Sequence, residues 1–309
     1  MMSDQQPRIA ILMPTWNSVR FLQEQVDSLL SQTYQNFVIV TRDDGSSDDS
    51  TALMSVYVEA HPEHFHVVVS DGRNLGASGS FACLLDYALA NKNALGLQKA
   101  YLMFCDHDDI WFPHKIAVTM QKMQDLEALH PGMPALVHSD LHVVDDERRQ
   151  IALSFFQYQG IQPRRNGFSR ILVSNTVTGC TALINEELAT LAMPIPADAI
   201  MHDWWLALVA SAFGKIVYID EALLDYRQHD ANAIGAREYL RSERPNLLVR
   251  LFDNRHAEAF KATARQARVF HATYGDKLNA SQQAAIGLTR MMSVRFAPLQ
   301  KMLLKLLQV

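Results

Sequence analysis

The sequence predicts an α/β fold built on a mainly parallel sheet covered by helices on both faces, with a smaller second sheet region and a helical C-terminal extension. Three observations carry this. Short runs of branched apolar residues alternate with amphipathic helical segments through the first half of the chain. Four polar clusters, PTWN, DDGSSDDS, DGRNLGASG and CDHDDIW, each follow a predicted strand directly. From 246 to 309 the pattern is helical throughout.

The elements follow in order. RIAILMP (8–14) is a buried strand cut by Pro14. Asn17 or Ser18 caps the next helix, whose Leu22, Val26, Leu29 and Leu30 form one apolar stripe. NFVIVT (36–41) is a second strand, and a helix over 49–60, a strand over 66–70, a helix over 79–90, a strand over 100–105 and a helix over 114–129 continue the alternation. In the second half, 135–140 and 178–184 read as strands and 202–214 as a helix closed by Gly214. IVYID (216–220) and LLDYRQH (223–229) read as two more strands. A body over 1–245, divided near 130, and an extension over 246–309 are the expected units. In a parallel sheet ligands sit at the carboxyl ends of the strands, so the four polar clusters converge on one edge.

Composition narrows the class. With 49% hydrophobic and 20% charged residues the chain can bury a large core, which excludes disordered and collagenous proteins. Cys83, Cys105 and Cys180 are widely spaced and odd in number, against a disulfide framework or zinc ribbon and in keeping with a cytoplasmic location. No signal-peptide pattern and no run of about 20 apolar residues is present. The net charge of −5 is uneven: from 251 onward nine basic residues face three acidic ones, and the rest of the chain carries 19 against 30. A basic tail ending in an apolar run points to an anionic lipid surface rather than to nucleic acid.

Four clusters could carry chemistry. Asp106, Asp108 and Asp109 crowd a strand end, where carboxylates repel unless a cation such as Mg²⁺ or Mn²⁺ neutralises them; a solvated acidic turn at a helix start is the other reading. Asp43 and Asp44 end a strand, where a carboxylate could accept from the imide N–H of a pyrimidine base, although Asp, Gly and Ser also simply form turns and caps. Asp203 in HDWW is either a first-turn acid or a general base for a sugar hydroxyl. His229 in YRQHDAN is structural unless the chain returns it to the aspartates, where its imidazole would complete a metal site. His61, His64, His138 and His142 lack a third ligand pattern and read as surface or packing residues.

Taken together, the set resembles the inverting family-2 glycosyltransferases of the GT-A fold, with its Rossmann-like nucleotide-binding sheet and smaller acceptor-side region. The matching segments are P-T-W-N at 14–17, L-x-S-Q-T-Y at 29–34 with a shifted spacer, DDGSSDDS at 43–50, R-N-x-G at 73–76, D-H-D-D-I-W at 106–111, H-D-W-W at 202–205 and Y-R-Q-H at 226–229, in family order. The resemblance implies that Pro14, Thr15, Trp16, Asn17 and His107 line the nucleotide site, that Asp44 contacts the base with Arg73 nearby, and that Asp106 holds the donor ribose. Asp108 and His229 would hold Mn²⁺ or Mg²⁺ on the diphosphate, and Asp203 would be the catalytic base. Asp109, Trp111, Gly179, His202 and Trp204 are candidate sugar contacts.

Trp16 stands where the family usually has Tyr, and His107 where Gln is frequent. The combination is most similar to the rhamnosyltransferase-like branch, which implies dTDP-rhamnose as donor, a UDP-hexose being the alternative, and a saccharide acceptor, possibly lipid-linked, in cell-surface polysaccharide synthesis such as O-antigen or capsule. The missing Q-x-x-R-W speaks against a processive synthase. A haloacid-dehalogenase phosphatase would need Thr or Val where Ile110 stands, and a nicotinamide or flavin oxidoreductase would need G-x-G-x-x-G where PTWN stands. A non-catalytic sugar-nucleotide-binding protein would have no use for Asp203. RFAPLQKMLLKLLQV (295–309) is expected either to pack on the catalytic body or a partner helix, or to lie on a membrane as an interfacial anchor.

Overall fold

A computed structural model describes residues 6–229, 257–292 and 297–307. The first half alternates as expected: β1 (Ile9–Thr15), α1 (Val19–Leu30), β2 (Phe37–Asp43), α2 (Ser50–Ala60), β3 (Phe65–Val67), α3 (Gly76–Ala90) and β4 (Tyr101–Phe104). β5 (Ile110–Trp111), α4 (Lys115–Leu129), β6 (Ala135–Asp145) and β7 (Gln150–Ala152) follow, with the short helices α5 (Phe155–Gln159) and α6 (Phe168–Ile171). A 3₁₀ turn at Gly179–Thr181 leads into β8 (Leu183–Asn185), α7 (Glu186–Ala192), α8 (His202–Phe213) and β9 (Lys215–Gln228). The C-terminal helices are α9 (Ala257–Tyr274), α10 (Ala280–Met291) and α11 (Ala297–Leu307). The expected boundary at 245/246, the first residues of the extension, and 295, 296, 308 and 309 lie outside the described residues.

Among the described residues one sheet runs β3-β2-β1-β4-β8-β6-β9-β5, with β7 on β6. β3, β2, β1 and β4 are parallel, whereas β8 lies antiparallel between β4 and β6. β1 is buried on both faces, as a near-continuous apolar run requires. Its Ile9, Ile11 and Met13 pack with α1 and α4 residues such as Leu22, Val26, Ile116 and Met120. Ala10 and Leu12 pack on the other face with Leu84, Leu85, Trp205 and Leu208.

Two elements differ from expectation. The run over 66–70 pairs only to Val67, and Val69 is left exposed. IVYID and LLDYRQH form one 14-residue strand, β9, whose register against β6 shifts between Ser139 and His142, absorbing the irregularity that separates the two runs in the sequence.

The C-terminal helices share the core of α8. Phe270 packs edge-on against Trp205 with ring centres 5.5 Å apart, and the Tyr274 hydroxyl donates to the Leu191 carbonyl (2.8 Å). On α11, Leu303 and Leu307 are buried while Met302 and Leu306 are exposed. The packing reading of 295–309 therefore holds for its inner face. No helix among the described residues is long and apolar enough to cross a membrane.

Candidate active site

β1 and β2 end side by side, Pro14 opposite Arg42 and Thr15 opposite Asp43, and this register brings PTWN against DDGSSDDS. Asn17 adopts φ 46°, a conformation that Asn tolerates better than most residues. Its Oδ1 accepts from the Ser47 N–H (2.8 Å), and its own N–H donates to Ser46 Oγ (2.9 Å). Thr15 Oγ1 donates to Asp43 (3.1 Å), which also accepts from the Gly45 and Ser46 N–H groups and the Ser46 hydroxyl. Gly45 is required twice over: φ is 81°, and a Cβ would sit 2.6 Å from the Gly72 carbonyl oxygen. Trp16 stands 48% exposed on the rim. A cavity of about 210 Å³ opens beside Thr15 and Asp43, lined further by Thr41, Met54 and Val67.

Asp44, expected to contact the base, is held by partners within the protein. It is buried, paired with buried Arg42, and accepts from the Leu75 N–H (2.8 Å) and the Gly76 N–H (3.0 Å) at the start of α3. With its oxygens accepting from these groups, Asp44 caps a helix and neutralises Arg42. Asp44→Ala is accordingly expected to destabilise the fold by about 3 kcal/mol, since it strands a buried guanidinium. Urea unfolding checks this, and an unchanged midpoint would remove the structural assignment. Arg73 is exposed and pairs with Asp71 (2.6 Å).

β4 delivers the acidic cluster. The Cys105 N–H still bonds to the Leu12 carbonyl of β1 (2.9 Å), and the chain then turns into Asp106, His107, Asp108 and Asp109. Asp106 and His107 are partly exposed and the other two buried. At the end of β9, His229 Nε2 lies 2.9 Å from Asp108 Oδ2, so residues 121 positions apart meet as the motif pattern implies. The His229 ring packs on Phe21 of α1, with centres 4.8 Å apart. Burial and the neighbouring Asp108 push the Asp106 carboxyl above the ordinary carboxylate range.

Asp109 and Trp111 lie deeper than Asp106 and His107. Asp109 is buried with Cys180 and Asp106, their donor atoms within 4.8 Å of one another, and accepts from the Arg227 N–H (3.3 Å). Trp111 is fully buried on β5 beneath the site, its ring under the Lys115 ammonium (4.3 Å). Burial pulls Lys115 down to about 8. β5 turns inward to pair with β9 at Leu224 and Asp225, which carries Trp111 into the core.

Asp203 enters from α8. It accepts from the Gly179 N–H (3.0 Å) and from the Trp204 N–H (2.6 Å), and burial pushes its carboxyl up to about 6. A carboxylate held by two backbone donors and titrating near neutrality is suited to take a proton. His202 is buried beside Gly179. Trp204 is partly buried and donates its indole N–H to the Ile171 carbonyl (2.6 Å), which anchors α6.

The donor set fits a divalent cation. Cis ligands at about 2.1 Å from an octahedral ion lie about 3 Å apart, which is the Asp108–His229 separation. A carboxylate with an imidazole suits Mn²⁺ better than the all-oxygen preference of Mg²⁺.

One residue central to the arrangement escaped the sequence reading. Arg227 donates to the carbonyls of Asp108 (3.0 Å) and Asp146 (2.8 Å), pairs with Glu24, and stacks on Phe21. It fixes the backbone of the acidic turn against β9, and only its place in Y-R-Q-H beside His229 hinted at this.

The description "Glycosyl transferase family 2" matches residues 10–189, more than half of the chain, which belongs to that family. A dTDP-rhamnosyl transferase, RfbG, from Shigella flexneri is 26% identical over 230 residues, covering 72% of this chain and 74% of the relative. The chain spans 33% and 65% of the length of two Rickettsia glycosyltransferases that it also matches. Solved structures agree on the GT-A fold. The Staphylococcus aureus TarS fragment 1–349 aligns with TM-score 0.55 at 15% identity over 93% of this chain and 70% of that one. The Pyrobaculum calidifontis mannosyltransferase PcManGT, in complex with GDP-Man and Mn²⁺, aligns with TM-score 0.54 at 16% identity over 98% and 80%.

Proposed function

We propose that this protein is an inverting, metal-assisted glycosyltransferase that moves one sugar from a nucleoside-diphosphate donor to a saccharide acceptor. The observation that carries the reading is the meeting of Asp108 and His229 at the strand-end edge where the Asp106 cluster and Asp203 also lie. Bound there, a divalent cation would neutralise the charge that collects on the departing diphosphate. Asp106 orients the donor ribose and Trp16 offers a stacking face to the nucleotide, whose base occupies the cavity beside Thr15. Asp203 takes the proton from the acceptor hydroxyl. The freed oxygen bonds to the anomeric carbon from the face opposite the diphosphate, and the carbon–oxygen bond to the diphosphate breaks with its electron pair leaving on the nucleotide. Inversion follows from that line of attack.

The relative named as a dTDP-rhamnosyl transferase supports dTDP-rhamnose as the donor. Calorimetric titration with dTDP, UDP and GDP, with and without Mn²⁺, tests this. Manganese-dependent binding that favours dTDP is expected. A preference for UDP would move the donor to a UDP-hexose, and no binding to any would overturn the enzymatic reading.

The exposed side of α11 supports contact with anionic lipid, which suits a lipid-linked acceptor in cell-surface polysaccharide synthesis. Met302, Lys305 and Leu306 are exposed there, while Leu303 and Leu307 hold the helix to the core. Met302→Asp with Leu306→Asp is expected to lower co-sedimentation with phosphatidylglycerol vesicles severalfold and leave nucleotide binding intact. Undiminished co-sedimentation would refute the contact.

A further inference from the structure

Arg165 lies just before α6 and Arg170 within it, and neither enters an ion pair among the described residues. Their neighbour Arg164 shows the ordinary arrangement of a surface arginine: it pairs with Asp220 (2.9 Å) and lies over the Tyr218 ring (5.4 Å). Arg170 is partly buried, and its Nε is closed off from solvent with no hydrogen-bond partner. Burial and the Arg165 guanidinium both pull Arg170 below the ordinary arginine range, so the charge that acts on it is a repulsive one. An arginine does not relieve such a repulsion by losing its proton, as a buried histidine does. Two like charges held together, one of them partly desolvated, cost free energy that a bound anion would recover.

The segment that carries the pair is fixed at both ends. The Asn166 side-chain amide donates to the Ile216 carbonyl of β9 (3.0 Å), and Phe168 is buried against Phe270 with ring centres 5.6 Å apart. Between the two arginines Gly167 faces open space, where a Cβ would meet nothing within 4 Å. There is room for a ligand beside a backbone that is already held.

α6 is also fastened to the helix that carries Asp203. The Ile171 carbonyl, next to Arg170, accepts from the indole of Trp204, which follows Asp203 (2.6 Å). The Arg170 carbonyl accepts from the Ser174 N–H (2.9 Å), and the next side chain, that of Asn175, bonds to the Asp203 carboxylate. The unneutralised pair therefore adjoins the acidic group read as the base, on an element separate from the Asp108 and His229 pair at the end of β9.

We propose that Arg165 and Arg170 form a subsite for a phosphate or diphosphate carried by the acceptor, close to the sugar whose hydroxyl Asp203 deprotonates. This rests on the glycosyltransferase reading of the site. It gives the two anionic groups separate places: the donor diphosphate goes to the metal pair, and the acceptor phosphate goes to the planar forks of two arginines, which match phosphate oxygens two at a time.

The test titrates the full-length protein in EDTA, so that no metal-held diphosphate contributes, with geranyl diphosphate, with glucose 1-phosphate and with methyl glucoside, which has no phosphate. Wild type is expected to bind a phosphate-bearing probe and not methyl glucoside. Tighter binding of geranyl diphosphate would assign the phosphate to a lipid carrier, and tighter binding of glucose 1-phosphate would assign it to the acceptor sugar. Arg165→Gln and Arg170→Gln are each expected to weaken that binding about tenfold. Arg170→Lys, which keeps the charge without the fork, is expected to lose less, and Arg164→Gln to stay within twofold. Without a probe, the thermal midpoints of the two Gln variants should equal or exceed that of wild type, because a repulsion is relieved, whereas an arginine that only supports the fold would lower it on removal. Binding of dTDP with Mn²⁺ should be unchanged throughout. Equal probe affinity in wild type and the Arg165→Gln, Arg170→Gln double variant, or no binding of either phosphate by wild type, would overturn the inference. If wild type still binds dTDP with Mn²⁺ in that case, the enzyme reading stands and the subsite alone falls; if wild type binds no nucleotide, the enzyme reading falls as well.

Discussion

Replacing Asp203 by Asn is expected to lower sugar transfer by about a thousandfold while nucleotide affinity stays within twofold of wild type. Asn has the shape of Asp, and its single carbonyl oxygen can still accept from one of the Gly179 and Trp204 N–H groups, which the two carboxylate oxygens of Asp203 serve separately. It has no basicity. A positioned general base contributes about 10²- to 10⁴-fold, and the predicted loss lies within that range. A donor-hydrolysis and transfer assay alongside nucleotide titration checks the pair of expectations. Transfer within tenfold of wild type would remove Asp203 from the base role, and a parallel loss of nucleotide binding would reassign it to the donor site.

The same residue sets a pH dependence whose sign is fixed. Burial pushes the Asp203 carboxyl up to about 6, and only the ionised form takes a proton. Transfer should therefore fall about tenfold per pH unit below about 6 and level off above it. Stability runs the other way. The folded state favours the protonated acid, so that contribution is present in full below the unfolded carboxylate value and is lost as pH rises through about 6. Asp203→Asn lacks that dependence, so its thermal midpoint relative to wild type should be higher at pH 8 than at pH 4. A stable but inactive variant is what a carboxylate placed for chemistry rather than for the fold would give.

The sequence made some parts of this arrangement legible and concealed others for physical reasons. The strands β1, β2 and β4 are apolar runs bounded by polar turns, so local pattern was enough to place them and their carboxyl ends. The meeting of Asp108 and His229 was not local, since it depends on β9 running parallel beside β6 and pairing with β5. It was anticipated through motif order, not through spacing. The partners of Asp44 were not legible because a carboxylate at a strand end looks the same whether it faces a ligand or caps the next helix. What decides it is buried Arg42, whose charge the sequence placed on no face. The burial of Trp111 and Asp109 was not legible because the two-residue β5 is too short to announce itself, yet it carries the end of the motif into the core. Arg227 was missed because its partners, Glu24 and Asp108, lie 203 and 119 residues away. A buried arginine whose described partners are this distant leaves no periodic trace.

The second large effect concerns the metal pair. Asp108→Ala is expected to abolish the manganese-dependent part of nucleoside-diphosphate affinity, so that titrations with Mn²⁺ and with EDTA coincide. His229→Ala is expected to do the same, and the double variant to be little worse than either single one. Non-additivity follows if the two side chains share one ion, since losing either ligand already frees it. Were they instead only hydrogen-bonded to each other, as their 2.9 Å separation would also allow, removing either would alter stability and leave the manganese dependence in place. Paramagnetic broadening by Mn²⁺ of signals near the site gives a readout independent of turnover: it should be present in wild type and lost in both single variants. Persistence of broadening in Asp108→Ala would move the ion to the neighbouring Asp106, Asp109 and Cys180 group, whose donor atoms lie within 4.8 Å of one another. That group is the poorer host for Mn²⁺, because burial pushes the Cys180 thiol and the Asp109 carboxyl toward their neutral forms and each would have to lose a proton before it could bind a cation. On the proposed reading, Asp108 and His229 at the strand-end edge would hold the metal that the diphosphate needs.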